Sequence, residues 1–272
     1  MIPPHTTIRF ARLLLTGAAG NLGRELRPRL KRYCDVLRLS DREAFGDAGI
    51  GEEVQLADLA DQAAIHRLLE GVDAVVHMGG ISTEQSWSSI LHANIVGLVN
   101  LYEAARAHGV RRIVFASSNH VTGFYRQDQT IGPRDPVRPD GFYGLSKAFG
   151  ENLAQLYWDR FGIETVSLRI GSSCPAPQDR RMLSTWLSCD DTERLVAAAL
   201  SAPVVGHSVI YGMSDNPLAW WDNTSARHIG FHPQDSAERF RAEIEALQPS
   251  PDASDPAARH QGGAFVRTGP FF

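Results

Sequence analysis

Tyr143 and Lys147 stand four residues apart in the segment Pro139-Asp-Gly-Phe-Tyr-Gly-Leu-Ser-Lys-Ala-Phe-Gly-Glu151, a spacing that puts a phenol and an ammonium on one face of a helix. A phenol with a reference pKa of about 10 is a poor base at neutral pH. A neighbouring ammonium favours the phenolate, so the pair predicts a Tyr143 of lowered pKa able to take a proton from a hydroxyl. Ser118 follows the strand-like run Arg111 to Ala116 and so falls at the carboxyl end of a sheet, where its hydroxyl could hold a substrate oxygen beside Tyr143. Ser118, Tyr143 and Lys147 are the catalytic candidates. A Tyr and Lys at this spacing also arise by chance, and the pair gains meaning only beside a second feature.

That feature is Thr16-Gly17-Ala-Ala-Gly20-Asn-Leu-Gly23, placed where a first strand becomes a first helix. Glycines there let the backbone turn tightly and approach a pyrophosphate, while the helix N-terminus offers free N–H groups and the positive end of its dipole. The alternative is a plain turn, but the position inside a βαβ unit is the one a dinucleotide site requires. Asp41, 18 residues beyond Gly23, suits the acidic residue that binds an adenosine ribose and repels a 2′-phosphate, which favours NAD over NADP. Arg42 beside it could instead accept that phosphate.

The elements that must hold these residues follow from periodicity. Arg12 to Thr16, Val36 to Leu39, Glu53 to Ala57, Asp73 to His77, Arg111 to Ala116 and Glu164 to Arg169 read as strands. Asn21 to Arg32, with Pro28 as a potential kink, Asp61 to Glu70, Ser86 to His108 and Tyr143 to Phe161 read as helices. The alternation predicts an α/β fold: a Rossmann-like doubly wound parallel sheet covered on both faces. After residue 171 the rhythm weakens to a helix from Asp190 to Ser201, a strand from Ser208 to Tyr211 and a tail rich in Pro, Asp and Gly. Residues 1–171 are thus expected to form the dinucleotide core, and residues 172–272 a small C-terminal cap, the final core elements and an arm, all in one integrated domain. Pro249 to Arg259 is too polar and proline-rich for a core and is expected as an exposed arm.

Composition narrows the partners. At 272 residues, 43 % hydrophobic and 21 % charged, the chain is an ordinary folded protein. A formal charge of −4 argues against nucleic acid and anionic membrane, which demand a concentrated basic patch; a small molecule fits better. Cys34, Cys174 and Cys189 form neither a paired disulfide framework nor metal-ligand spacing, so no metal is expected and the thiols are read as buried in a reducing compartment. No apolar run is long enough to span a bilayer, and two prolines sit in Met1 to Phe10 where a signal peptide would be apolar, so a cytoplasmic protein is expected.

Together these residues resemble the extended short-chain dehydrogenase/reductase family, over about residues 12–170. The glycine triplet, Asp58-Leu59, Gly79-Gly80, Asn94, Ser118 and the Tyr143/Lys147 pair with Glu151 fall in the family's order. The resemblance implies NAD as cofactor, held by Gly17, Ala19, Gly20, Asn21, Leu22, Gly23, Asp41, Asp58, Leu59, Met78, Gly79, Gly80, Asn94, Ser117, Tyr143, Lys147 and Ile170. It places Asp58 and Leu59 beside the adenine, Met78 to Gly80 along the dinucleotide and Lys147 on the nicotinamide ribose. Asn94 would support the active site or simply cap a neighbouring loop.

Two departures separate the chain from relatives that act on nucleotide sugars. Leu168-Arg-Ile-Gly-Ser-Ser-Cys-Pro175 replaces their Asn and Tyr-Gly-Pro-like stretch, with a short cap behind it, and Thr122 stands where they carry tyrosine. Within the family the chain resembles bacterial uronate dehydrogenases nearly end to end, through His77-Met-Gly-Gly-Ile-Ser82, Phe115-Ala-Ser-Ser-Asn-His120, Arg180-Arg-Met-Leu-Ser-Thr-Trp186, Trp220-Trp-Asp-Asn223 and Gln261-Gly-Gly-Ala-Phe265. That resemblance implies oxidation of the anomeric carbon of cyclic glucuronate or galacturonate to an aldarolactone, with Ser82, Ser118, Asn119, His120, Tyr143, Ser172, Arg181 and Phe265 around the sugar. Arginine's planar fork suits a carboxylate, and short polar side chains suit a ring of hydroxyls. Bland readings stand beside these: His120 as a core histidine, Arg181 as a surface residue, Trp220-Trp221 as packing. Competing functions are another sugar dehydrogenase or a nucleotide-sugar epimerase, and a non-catalytic NAD-binding regulator. Phe265 and Phe271-Phe272 beyond a polar linker suggest an arm that closes the pocket or mediates homo-oligomerisation.

Overall fold

The computed structural model describes residues 9–271, so the chain start through Ile8 and the terminal Phe272 lie outside the described residues. The three leucines of β1 (Phe10–Thr16) are fully buried, Leu13 and Leu15 in one apolar cluster with Leu26 and Leu30, and Leu14 in another with Leu68, Leu101 and Tyr102. Successive strand side chains point to opposite faces, so a run apolar at every position needs helices on both sides.

The sheet meets that need. Its order is β3 (Glu52–Val54), β2 (Cys34–Ser40), β1, β4 (Ala74–His77), β5 (Arg112–Ser118), β6 (Glu164–Ile170) and a last strand, His207–Gly212, with every neighbouring pair parallel. The chain winds outward from β1 in one direction, then returns to lay β4 on the other side, which opens a crevice between the carboxyl ends of β1 and β4. Thr16 ends β1 paired with Ser40 of β2 and His77 of β4. Ser172–Ser173 and Trp186–Leu187 form a separate two-stranded ribbon, β7 and β8, which makes the final strand of the large sheet β9.

Helices α1 (Asn21–Leu30) and α2 (Gln62–Leu68) flank the first half of the sheet. α1 carries Pro28 in its last turn and passes directly into a 3-10 turn, Lys31–Tyr33. The helix expected over Ser86 to His108 is interrupted: α3 (Trp87–Ile90) runs into a π-turn at Leu91–Val96 before α4 (Gly97–His108). Ser86 caps its start by accepting from the Ser89 amide at 3.3 Å. The extra residue of a π-turn re-aims side chains, and here the buried one is Asn94. β3 is shorter than the expected Glu53 to Ala57, although the amides of Gln55 and Ala57 still donate to Leu39 and Asp41.

α5 (Phe142–Phe161) carries Tyr143 and Lys147, and a buried ion pair sets its position. Glu151 accepts from Arg169 of β6 (2.8 and 2.9 Å) and from the Ser117 hydroxyl of β5 (2.7 Å), while Arg169 also donates to Tyr211 of β9 (3.2 Å). A buried pair whose remaining polar atoms are satisfied holds geometry, and losing one partner strands the other charge. Beyond β6 come α6 (Met182–Thr185), α7 (Cys189–Ser201), α8 (Arg241–Leu247) and α9 (Pro256–Arg259). Leu183, Trp186, Ala237 and Ile244 make a small apolar cluster among them. Residues 249–259 are mostly exposed, but the chain then turns back: Gln261 is fully buried and the Phe271 carbonyl accepts from the Trp87 amide.

Candidate active site

A cavity of about 550 Å³ lies over the carboxyl ends of the strands, running from the glycine turn past Asp41 and Asp58 to Tyr143, Asn119 and His120. At its first end Gly17 has φ +71°, and a Cβ there would lie 2.5 Å from the Met78 carbonyl carbon, so only glycine fits. A Cβ on Gly23 would lie 2.1 Å from the Gly17 oxygen. Gly20 caps α1 with no side chain bonded to the first amides, which leaves helix N–H groups for an anion. Asp41 accepts from the Ala19 amide at 2.9 Å and from the Arg42 amide at 2.7 Å. The Arg42 guanidinium pairs with Glu43 at 3.2 Å, both well exposed, a contact of small energetic value that nevertheless offsets its charge. Carboxylates therefore dominate this corner.

The middle of the cavity holds the catalytic candidates. Lys147 is buried and its Nζ donates to the Ala116 carbonyl at 2.7 Å. Burial pulls this lysine down to about 8. Tyr143 departs from expectation: burial pushes it up to about 12, with a Ser118 hydrogen bond working the other way. The predicted lowering by Lys147 is corrected for a physical reason. The ammonium spends a bond on the Ala116 carbonyl and sits 5.7 Å from the phenol ring centre, while the low-polarity surroundings penalise a phenolate. Glu84, buried, accepts from the Phe142 and Tyr143 amides at 2.9 and 2.8 Å, supplying the acidic cap that Gly141 cannot.

At the far end, His120 Nδ1 is 2.7 Å from Asp140, and its ring stacks on Phe265 with centres 3.8 Å apart. Arg181 donates to the Gln261 carbonyl (2.8 Å), to Ser172 Oγ (3.3 Å) and to the Asn119 amide oxygen (2.8 Å), the Asn119 nitrogen donating in turn to Ile170 O at 2.9 Å. A guanidinium has five N–H groups, so one on each Nη is left over. Among the described residues no ion pair involves Arg181, and burial lowers its pKa against the fields of Asp179 and Asp140.

The dinucleotide geometry and the Tyr143/Lys147 helix agree with a family match: the NAD dependent epimerase/dehydratase family fits residues 13–196. The chain belongs to that family. Among its relatives, a uronate dehydrogenase from Pseudomonas syringae pv. tomato is 58 % identical over 273 residues, covering 100 % of this chain and 99 % of the relative. One from Pseudomonas putida is 59 % identical, covering 98 % and 99 %. The crystal structure of a mutant uronate dehydrogenase from Agrobacterium tumefaciens, complexed with NAD, superposes with a TM-score of 0.94 at 51 % identity, covering 96 % of this chain and 99 % of that one.

For this epimerase/dehydratase family member, the structure brings most of the predicted site residues to one cavity. Gly17, Ala19, Gly20, Asn21, Leu22, Gly23, Asp41, Asp58, Leu59, Met78, Gly79, Gly80, Ser82, Ser117, Ser118, Asn119, His120, Tyr143, Lys147 and Ile170 all line it. Four stand one contact behind the wall. Asn94 accepts from the Ile81 amide (2.8 Å) and donates to the Ile81 carbonyl and Ser146 Oγ (both 3.0 Å), holding the Gly80 loop. Arg181 reaches the cavity through Asn119, Ser172 stands between the lining residues Gly171 and Ser173 and bonds Arg181, and Phe265 reaches it through His120. Trp221 is packing, stacked on Tyr211 with centres 4.8 Å apart. Thr122 is bonded to the Tyr211 hydroxyl at 3.1 Å. Sequence reasoning missed Glu84, Asp140 and Gln261. Asp140 lies three residues before Tyr143, and Gln261 opens a segment already singled out, but Glu84 carried no signal. Among the described residues no cluster of His, Cys, Asp or Glu gathers for a metal, and no helix is long and apolar enough to cross a membrane.

Proposed function

We propose that this chain is an NAD-dependent uronate dehydrogenase, oxidising the anomeric carbon of cyclic glucuronate or galacturonate to the aldarolactone. The observation that carries the reading is Arg181: a half-buried cation that among the described residues has no counter-ion and two unused N–H groups, bonded to Asn119 of the cavity wall, in a chain alike end to end to uronate dehydrogenases. A bidentate carboxylate completes it.

NAD, when bound, accepts the anomeric hydride on its positively charged nicotinamide. The glycine turn and the α1 N-terminus hold the pyrophosphate, Asp41 the adenosine ribose, Asp58 and Leu59 the adenine edge, and Lys147 the nicotinamide ribose. Tyr143 takes the proton of the anomeric hydroxyl and Ser118 holds the same oxygen. A phenol held near 12 is a weak acid, so the base is its phenolate, formed against the cost of burial and favoured by the Ser118 hydrogen bond. Ser82, Asn119, His120 and Ser172 offer hydrogen bonds to the ring hydroxyls, and Phe265 covers them. The C1–H bond breaks as the C1–O1 carbonyl forms, so the ring stays closed and the first product is a lactone.

A cytoplasmic homo-oligomer belongs to the same reading; Leu145, Leu156 and Phe161 leave half-exposed apolar surface on α5, and light scattering tests the assembly. The decisive experiment is NADH formation from the pure protein with uronates, neutral aldoses and nucleotide sugars, followed by NMR at the earliest times. Uronates are expected to be oxidised far better than the rest, with a lactone first. Turnover of a nucleotide sugar without net NADH would turn the reading to an epimerase.

A further inference from the structure

Asp140 is buried: its side chain is 0 % exposed. One oxygen meets His120 Nδ1 at 2.7 Å, and the other, Oδ1, is buried without a hydrogen-bond partner. The backbone closes on this carboxylate from three separate segments. A Cβ would lie 1.9 Å from Oδ2 at Gly123, 2.0 Å from Oδ2 at Gly262 and 3.1 Å from Oδ1 at Gly144. Glycines at all three points allow that approach, and the carboxylate has no room to swing.

His120 is held as tightly. Phe265 stacks on its face, the Tyr143 ring meets it at 5.8 Å and 61°, and its amide donates to Ser118 Oγ at 3.2 Å. The ring lines the cavity, and among the described residues Nε2 makes no hydrogen bond. A carboxylate is acceptor-only, so Nδ1 must carry the proton that joins the pair. In the tautomer with one proton on Nδ1, Nε2 is a bare acceptor on a residue that lines the cavity. Of the other polar groups named for the sugar, Arg181 only donates, Asn119 has its amide engaged by Arg181 and Ile170, and the hydroxyls of Ser82, Ser118, Tyr143 and Ser172 turn either way; a ring of hydroxyls also needs a fixed acceptor.

We propose that Asp140 is a positioning residue: acting through His120, it fixes the ring tautomer so that Nε2 accepts a hydrogen bond from a hydroxyl of the bound sugar. This rests on the reading of the cavity as a uronate site. A carboxylate that cannot move and has a single partner is costly to bury, and the structure spends that cost on one ring nitrogen.

The test has two arms. In ¹⁵N NMR of the cofactor-free protein with labelled histidine, His120 is expected to show a protonated Nδ1 and a bare Nε2; a protonated Nε2 overturns the proposal. This arm needs no substrate, so it stands apart from whether uronates are oxidised. In the second arm, Asp140→Asn keeps the shape but frees the tautomer, and kcat/KM for uronate is expected to fall about 10- to 100-fold, the usual cost of losing the carboxylate that orients a ligand-binding histidine. NAD affinity should stay within about threefold, because of the residues expected to hold the cofactor the His120 ring meets Tyr143 alone. In a His120→Ala background Asp140→Asn should cost less than about threefold more, since the two act as one unit. Multiplying costs, or near-normal kcat/KM in Asp140→Asn alone, would mean that Asp140 only packs the loop.

Discussion

The Gln261 carbonyl accepts a hydrogen bond from Arg181 Nε at 2.8 Å, joining residues 80 positions apart. The same glutamine accepts from Trp221 Nε1 at 2.9 Å and donates to the Arg126 and Gln129 carbonyls. It is therefore fixed at every polar atom, and it orients the guanidinium from behind.

An oriented, unpaired guanidinium should discriminate by charge. Arg181→Met is expected to lower kcat/KM for glucuronate by about 30-fold to several-thousand-fold, the equivalent of roughly 2–5 kcal/mol, while slow oxidation of glucose changes little. Initial rates on both sugars decide it. An equal fall on both would make Arg181 a structural residue.

The arm is expected to act on its own subunit, because Phe265 stacks on His120 of the same chain. Phe265→Ala should raise KM for the uronate about threefold to tenfold, the value of one aromatic contact, and leave molecular mass in solution unchanged. A drop in mass by light scattering would assign Phe265 to an intersubunit contact instead.

Lys147 makes stability depend on pH. Its folded value near 8 lies below the ordinary 10.5, so between these limits the unfolded chain binds a proton that the folded chain has released, and stability rises with pH by a limit on the order of 3 kcal/mol. Tyr143 works in a higher window: its preference for the neutral phenol is present below about 10 and is lost as pH rises towards 12. Urea unfolding of the cofactor-free protein at about pH 7.5 and about pH 9.5 should show the wild type gaining on Lys147→Met as pH increases. Parallel behaviour of the two would refute the assignment.

Asp41 both anchors the Ala19 amide and places negative charge at the adenosine end. Asp41→Ala should narrow the preference for NAD over NADP at least about tenfold in kcat/KM, and weaken NAD itself through the loosened turn. An unchanged ratio would shift the selection to Glu43, which pairs with Arg42 at the same corner.

How much of this was legible without a structure depends on the range of the interaction. The apolar run Leu13 to Leu15, the glycine turn behind it and the four-residue spacing of Tyr143 and Lys147 are local patterns, and local patterns follow from strand and helix periodicity alone. They determine the parallel sheet, the dinucleotide end of the cavity and the catalytic helix. The phenol's raised pKa, the Glu84 cap on α5, the caged Asp140 and the return of Gln261 and Phe265 over the sugar end are decided between segments far apart in the chain. Burial and hydrogen-bond satisfaction settle those, and both depend on which backbones meet: a lysine four residues from a tyrosine lies on its face of the helix, but only the packed sheet puts the Ala116 carbonyl where the ammonium bonds first.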